Sequence, residues 1–161
     1  MNKNDTSQPV DSVIGVISDT HGLLRPEVFE AFQNVDAIIH AGDIGSMAII
    51  NDLKKMAPVY VVRGNMDYGK WCEKIPAADV IEIKNIMIYA LHNIDLIDLN
   101  PKTAGFHAVI FGHTHQPQSL IKNDVLYLNP GSAGPQRNQF PPSVALIKIY
   151  QNVLTPEFIE L

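Results

Sequence analysis

The residues best able to do chemistry fall in five short groups: Asp19-Thr20-His21, His40-Ala41-Gly42-Asp43, Gly64-Asn65-Met66-Asp67, His92, and Gly112-His113-Thr114-His115. Their donors are carboxylate, amide and imidazole, with no thiolate among them. The Asp-x-His and His-x-His spacings bring two donors from one loop within reach of one centre. The set Asp19, His21, Asp43, Asn65, His92, His113 and His115 suits Mn²⁺, Fe, Zn²⁺ or Co²⁺, whereas its imidazoles suit Ca²⁺ and Mg²⁺ poorly. Asp and Asn also favour turns for local reasons. That bland reading does not account for four histidines placed the same way.

Each group follows a compact apolar run: Val13–Ile17, Val35–Ile39, Val59–Val62, Ile86–Leu91 and Val109–Phe111. Short β-branched runs of this kind read as buried strands. Between the first two, Pro26 suits a first helical position, and Val28, Phe29 and Phe32 give that helix an apolar face. Ser46 can cap a second helix, with Ile49, Ile50, Leu53 and Met56 along one side and Pro58 closing it. Alternating strands and helices at this spacing imply parallel pairing with right-handed crossovers. The second half is richer in β signals. Hairpins are expected around Lys84-Asn85, Asn123-Asp124 and Gln151-Asn152, with a short helix over Ile94–Leu99. The expected architecture is α/β: two packed mixed β-sheets, a β-sandwich, flanked by α-helices. Ligands of such sheets gather outside the carboxyl ends of the strands, where the five groups stand.

The chain has 161 residues, 46% hydrophobic and 18% charged, which fits one globular domain over 1–161. Residues 1–11 are polar and read as a short flexible tail. The net charge of −5 gives no basic footprint for nucleic acid. An acidic chain can still bind phosphate when a metal ion supplies the positive charge. Cys72 is the only cysteine, which rules out an intramolecular disulfide or a cysteine cage and suits a reducing cytoplasm. No apolar run approaches the roughly 18 residues of a membrane helix. A homo-oligomer is left open.

Taken in order, Asp19-x-His21, Gly42-Asp43, Gly64-Asn65-x-Asp67, His92 and Gly112-His113-Thr114-His115 resemble the pattern of the calcineurin-like metallophosphoesterases. Asn129-Pro130-Gly131-Ser132 is similar to the small bacterial and archaeal phosphodiesterase branch. The resemblance runs from about Val13 to Ile149. It implies one metal held by Asp19, His21, Asp43 and His115, and a second held by Asp43, Asn65, His92 and His113, with Asp43 bridging. It implies two divalent transition-metal ions, Mn²⁺ foremost, with Fe, Zn²⁺, Co²⁺ or Ni²⁺ compatible. The implied substrate is a small phosphoester, a diester by the branch. Two cations about 3.5–4 Å apart can share a hydroxide that attacks phosphorus in line. Catalytic roles beside the metals fall to Asn65 and Asp67, the latter orienting a histidine ligand or merely making a turn.

Three features depart from the common pattern. Met66 stands where many relatives carry histidine and others cysteine, Asn93 follows His92 where glycine is usual, and the segment from His92 to Gly112 is short. Arg137 is a candidate phosphate contact, and Arg63 is either a second one or a solvated charge. His40 reads as a buried, hydrogen-bonded histidine and His107 as structural. Trp71 and Cys72 read as packing residues. Two rival functions are a non-catalytic scaffold of the same fold and a phosphomonoesterase or nucleotide pyrophosphatase. Scaffold members tend to have lost a ligand, whereas all seven positions are filled here.

Overall fold

The computed structural model describes residues 9–161. The expected tail falls mainly on residues 1–8, outside that range. By Asp11 the chain is already tied down: its amide donates to Ile149 O at 2.8 Å, and its carboxylate accepts from the Gln151 amide at 2.8 Å.

Ten strands form two five-stranded sheets. The first contains β1 (Ser12–Ile17), β2 (Ala37–His40), β3 (Val59–Val61), β9 (Ser143–Tyr150) and β10 (Val153–Glu160), in the order β10-β9-β1-β2-β3. The second contains β4 (Ala78–Ile83), β5 (Ile86–Leu91), β6 (Ala108–Ile110), β7 (Gln118–Lys122) and β8 (Val125–Asn129), in the order β4-β5-β6-β8-β7. Each sheet has three parallel strands, β1-β2-β3 in one and β5-β6-β8 in the other. Antiparallel partners flank them. The three expected hairpins are all present, as β4–β5, β7–β8 and β9–β10.

Alternation along each strand explains the packing, because successive side chains point to opposite faces. Ile14, Val16 and Ile39 of the first sheet meet Ile86, Ile88, Ile110 and Leu128 of the second in one continuous core. The opposite faces are covered separately. Ile17 and Ile38 pack under α1 (Pro26–Ala31) and α2 (Met47–Leu53), against Val28, Ile49, Ile50 and Leu53. Val109 and Phe111 pack with Leu91 on the outer face of the second sheet.

The helices differ from expectation in detail. Val28 and Phe32 are buried, but Phe29 is 40% exposed, because α1 is only six residues long and buries a single stripe. Ser46 occupies the N-cap position of α2 with extended backbone, yet its side chain makes no capping hydrogen bond. The Ile94–Leu99 segment forms one 3-10 turn over Ile94–Leu96, and a second such turn spans Lys70–Cys72. Cys72 is buried and Trp71 packs against the α-helical layer, as packing residues should.

Candidate metal centre

Parallel strands all end at the same edge of a sheet, so the two parallel triplets can deliver several loops to one place. β1 is followed by Asp19 and His21, β2 by Asp43, β3 by Asn65, β5 by His92, and β6 by His113 and His115. Five of these seven residues carry left-handed backbone: Asp19, His21, Asp43, His113 and His115, with φ between 47° and 71°. That region is unfavourable for non-glycine residues and persists where the surroundings impose it. The loops also approach one another closely. A Cβ on Gly42 would lie 2.7 Å from His92 Nδ1 and 2.8 Å from the Gly64 amide, and one on Gly64 would strike the Asp43 carboxylate. Only glycine fits such approaches.

The two carboxylates are arranged alike. Asp19 Oδ2 accepts from Ser18 Oγ at 2.7 Å and from the His113 amide at 3.2 Å. Its Oδ1 has no hydrogen-bond partner and faces His115 Nε2 at 3.2 Å, His92 Nε2 at 3.8 Å and His21 Nε2 at 3.9 Å. Asp43 Oδ1 accepts from the Met66 amide at 2.8 Å, which leaves Oδ2 facing His92 Nε2 at 3.3 Å and His21 Nε2 at 3.8 Å. In each carboxylate one oxygen is tied to the protein and the other is turned towards imidazoles.

The imidazoles form two pairs around those oxygens. The His21 and His115 rings lie 5.4 Å apart on one side, and the His92 and His113 rings 5.2 Å apart on the other. Asn65 joins the second pair, with its Oδ1 3.2 Å from His113 Nδ1. His92 Nδ1 donates to Ala41 O at 2.7 Å, which directs Nε2 at the carboxylates. Burial lowers the His21 pKa, and the positive charge of Arg137 adds to this. Burial works the same way on His92, but the Asp43 and Asp19 carboxylates and the Ala41 carbonyl outweigh it, so its pKa is raised. Burial alone would raise Asp43; hydrogen bonding from His92 and Met66, with the histidine charges, lowers it instead.

Asp19 Oδ1, His21 Nε2 and His92 Nε2 are buried without hydrogen-bond partners among the described residues. Buried polar atoms are ordinarily satisfied, and leaving one unmet costs about 1–3 kcal/mol. Three such atoms in one cluster fit cations. Asp19, His21 and His115 could hold one ion, and Asp19, Asp43 and His92 also lie within ligating distance of one another. His113 and Asn65 are exposed at the edge of that second group.

Other expected residues lie around this cluster. Asp67 is buried, but its carboxylate accepts from the amides of Ile44, Gly45 and Gly64 at 2.8–3.1 Å. It therefore pins two ligand loops together and reaches no imidazole. Met66 is 51% exposed at its side chain, and its contribution is the amide that holds Asp43. Asn93 has extended backbone, φ −110°, which any residue adopts, so glycine's absence there leaves His92 in place. Arg137 is exposed, near enough to act on His21. His107 Nδ1 accepts from the Met87 amide at 3.0 Å, a structural role.

His40 is fully buried in a relay that fixes the loop after β1. Its Nδ1 accepts from the Gly42 amide at 3.2 Å, so Nε2 donates to Thr20 Oγ1 at 2.9 Å, and Thr20 donates to Ile44 O at 2.8 Å. Burial lowers its pKa to about 4, which keeps the ring neutral. Sequence reasoning gave Ser18, Thr20, Asn129 and Ser132 no role. Asn129 Nδ2 donates to Gly112 O at 2.8 Å and to Thr114 Oγ1 at 3.0 Å, bracing the His113–His115 loop. Ser132 Oγ donates to Asp19 O at 3.1 Å. Asn129 and Ser132 are marked in sequence by the Asn-Pro-Gly-Ser stretch, whereas Ser18 and Thr20 are marked only by standing beside a ligand motif at a strand end.

The sequence pattern of the calcineurin-like phosphoesterase superfamily domain matches residues 13–152. A probable metallophosphoesterase of Methanocaldococcus jannaschii is 40% identical over 134 residues, 74% of this chain and 67% of the relative. A phosphodiesterase of the same organism is 29% identical over 137 residues, 73% of this chain and 82% of the relative. A predicted phosphoesterase from Streptococcus pneumoniae superposes with a TM-score of 0.74 at 27% identity, covering 92% of this chain and 89% of that one. With its two mixed sheets, its strand-end loops and these matches, the chain belongs to the calcineurin-like phosphoesterase superfamily.

Proposed function

We propose that this protein is a metal-dependent phosphodiesterase with a two-ion centre. The carrying observation is the matched state of Asp19 and Asp43: each spends one carboxylate oxygen on the protein and turns the other towards histidines. One ion would be held by Asp19, His21, Asp43 and His115, and the other by Asp43, Asn65, His92 and His113. Bound there, divalent transition metals would supply Lewis-acid charge and acidify a water for in-line attack on phosphorus.

The protein's own part is positioning. Asp43 Oδ2 faces His21 at 3.8 Å and His92 at 3.3 Å, one from each imidazole pair, which supports a bridging role. The Ala41 carbonyl fixes the His92 tautomer, and Asp67 and His40 hold the loops from β1, β2 and β3 in register. Arg137 brings positive charge to the His21 side, where a phosphoryl oxygen would be neutralised. The choice of diester over monoester rests on the phosphodiesterase relative, and a cytoplasmic setting on the lone, buried Cys72.

The test is metal analysis of purified protein, then hydrolysis of bis(p-nitrophenyl) phosphate and p-nitrophenyl phosphate with added Mn²⁺. Two ions per chain and preferential diester cleavage are expected. Two bound ions with no hydrolysis of either ester would favour the scaffold reading.

A further inference from the structure

A cleft of about 390 Å³ opens beside the metal centre on the His92 side. Its size lies within the range of roughly 300–1,000 Å³ typical of small-molecule sites. Asn65, His92 and His113 form one wall, so the cleft is continuous with the candidate ligands. The lining also includes the apolar side chains of Leu91 and Leu96 and the ring of Tyr89. Tyr89 and Leu91 reach it because they stand on the outward face of β5, in the alternation that ends at His92. The Tyr89 ring is fixed against Phe106, with centroids 5.3 Å apart.

Leu96 is the unusual member. It is 74% exposed, although it sits at the rim of an apolar cavity. The 3-10 turn that carries it is held by Asn93 Oδ1, which accepts from the Asp95 amide at 3.0 Å. An apolar side chain held out in this way gains only when something covers it. The charges decide what that is. Arg63 and Asp98 both line the cleft, one of each sign. Asp98 is close enough that, with burial, it raises the Tyr89 pKa. With one charge of each sign the cleft offers a second phosphate no net attraction and sets Asp98 against it, whereas an uncharged ring is repelled by neither.

We infer that this cleft is an ester-group subsite: it takes one of the two ester groups of the diester and selects a flat, uncharged aryl group over a small alkyl or charged one. This rests on the phosphodiesterase reading above. Leu96 and Leu91 grip the ring, and Asn65, His92 and His113 mark the side on which the phosphate lies.

The test reads binding and not rate, because a better leaving group speeds hydrolysis without any help from the cleft. Diphenyl phosphate and dimethyl phosphate are titrated into Mn²⁺-loaded protein by calorimetry, and into protein loaded with diamagnetic Zn²⁺ while leucine methyl resonances are followed. Diphenyl phosphate should bind at least about tenfold more tightly, the size expected for burying one ring edge against a leucine. It should also shift the Leu91 and Leu96 methyl signals. Leu96→Asp, at an exposed position that tolerates a charge, should collapse the ratio between the two probes. Equal affinities in wild type, or a ratio unchanged by Leu96→Asp, would overturn the inference, as would methyl shifts confined to residues outside the cleft. Protein that hydrolyses bis(p-nitrophenyl) phosphate yet ignores the phenyl groups loses the subsite and keeps the function. Protein that prefers diphenyl phosphate yet hydrolyses nothing loses the function and keeps the subsite.

Discussion

Among the described residues, ten that are not glycine adopt left-handed backbone, and they fall into two groups of five. Lys84, Asn123, Asp124, Gln151 and Asn152 sit in the hairpin turns, whereas Asp19, His21, Asp43, His113 and His115 sit in the candidate ligand loops. The turn residues are exposed and their conformation is dictated locally. Tight two-residue hairpins need positive φ to match the strand twist, and Asn and Asp tolerate it. In the ligand loops the same backbone is imposed from a distance. The His21 amide donates to Asp43 O, the His113 amide to Asp19 Oδ2, and Met66 holds the Asp43 side chain. Strain in a turn is a local geometric requirement; strain in the loops is maintained by tertiary contacts and aims side chains at one point.

The largest expected effect comes from removing the residue proposed to serve both ions. Asp43→Ala should abolish Mn²⁺-dependent turnover and lower bound metal towards zero. His21→Ala should leave a measurable remnant, because only one ion loses a donor. Metal content and turnover at saturating Mn²⁺ decide it, and wild-type turnover in the Asp43 variant would sink the ligand assignment.

Next comes crowding. In Gly64→Ala the new methyl would collide with the Asp43 carboxylate and amide, neither of which can retreat. Overpacking of this kind destabilises by about 1–3 kcal/mol. Because it displaces a ligand, metal affinity should fall by about 10–100-fold, as when a ligand's supporting contacts are lost. Competition against a chelator measures it. Unchanged metal affinity would show that the loops are looser than the hairpin turns and would erase the contrast.

A smaller effect follows from the His40 relay. The His40 pKa is lowered from 6.5 to about 4, so the unfolded chain binds the proton that the native state refuses. Its contribution is therefore complete above pH 6.5 and is lost as pH falls towards 4, amounting to about 3 kcal/mol. His21, also lowered, acts in the same direction, while His92, raised, adds stability on the acid side and loses it as pH rises. Thermal melts of chelator-treated protein between pH 7 and pH 4 should show the acid loss, and His40→Gln should flatten it. An unaltered acid limb in His40→Gln would mean that the relay is not what couples β1 to β2.

How much of this was legible beforehand follows the same division. The hairpins could be read because Lys84-Asn85, Asn123-Asp124 and Gln151-Asn152 announce themselves within two residues, and the structure has all three. The candidate donors could be picked out because they cluster after apolar runs, and the structure brings Asp19, His21, Asp43, His92 and His115 within reach of one another, with His113 and Asn65 beside His92. What could not be read is what holds them. Asp67 reads in sequence as orienting a histidine ligand or making a turn, yet its carboxylate is consumed by the Gly64 amide of its own loop and by the Ile44 and Gly45 amides of another, which the sequence does not announce. Phe29 looked like core because its spacing fits, but a six-residue helix has no second buried stripe. Met66 drew attention to its side chain, while the structure uses its amide. Long-range hydrogen bonds leave no periodicity in a sequence.

The smallest effect tests the other arm of the contrast. Gln151 is exposed, stands in the β9–β10 turn with φ 46°, and accepts no restraint beyond its amide's bond to Asp11 at 2.8 Å. Gln151→Gly relieves the left-handed penalty, roughly 1 kcal/mol for a non-glycine residue. It also enlarges the freedom of the unfolded chain, which opposes folding by a comparable amount, about 0.4–1 kcal/mol. The two nearly cancel, so the melting temperature should move little in either direction. Metal content and turnover should not move at all, because the turn lies in β9–β10 at the far edge of the first sheet from β2 and β3. Glycine in a ligand loop, as His113→Gly, would relieve the same backbone and lose a donor, so metal affinity should fall even where stability holds. Measuring both variants by melting and by metal titration separates the two kinds of strain. A hairpin variant that weakened metal binding would show that the turns and the loops are mechanically coupled, and the distinction between local and imposed strain would fail.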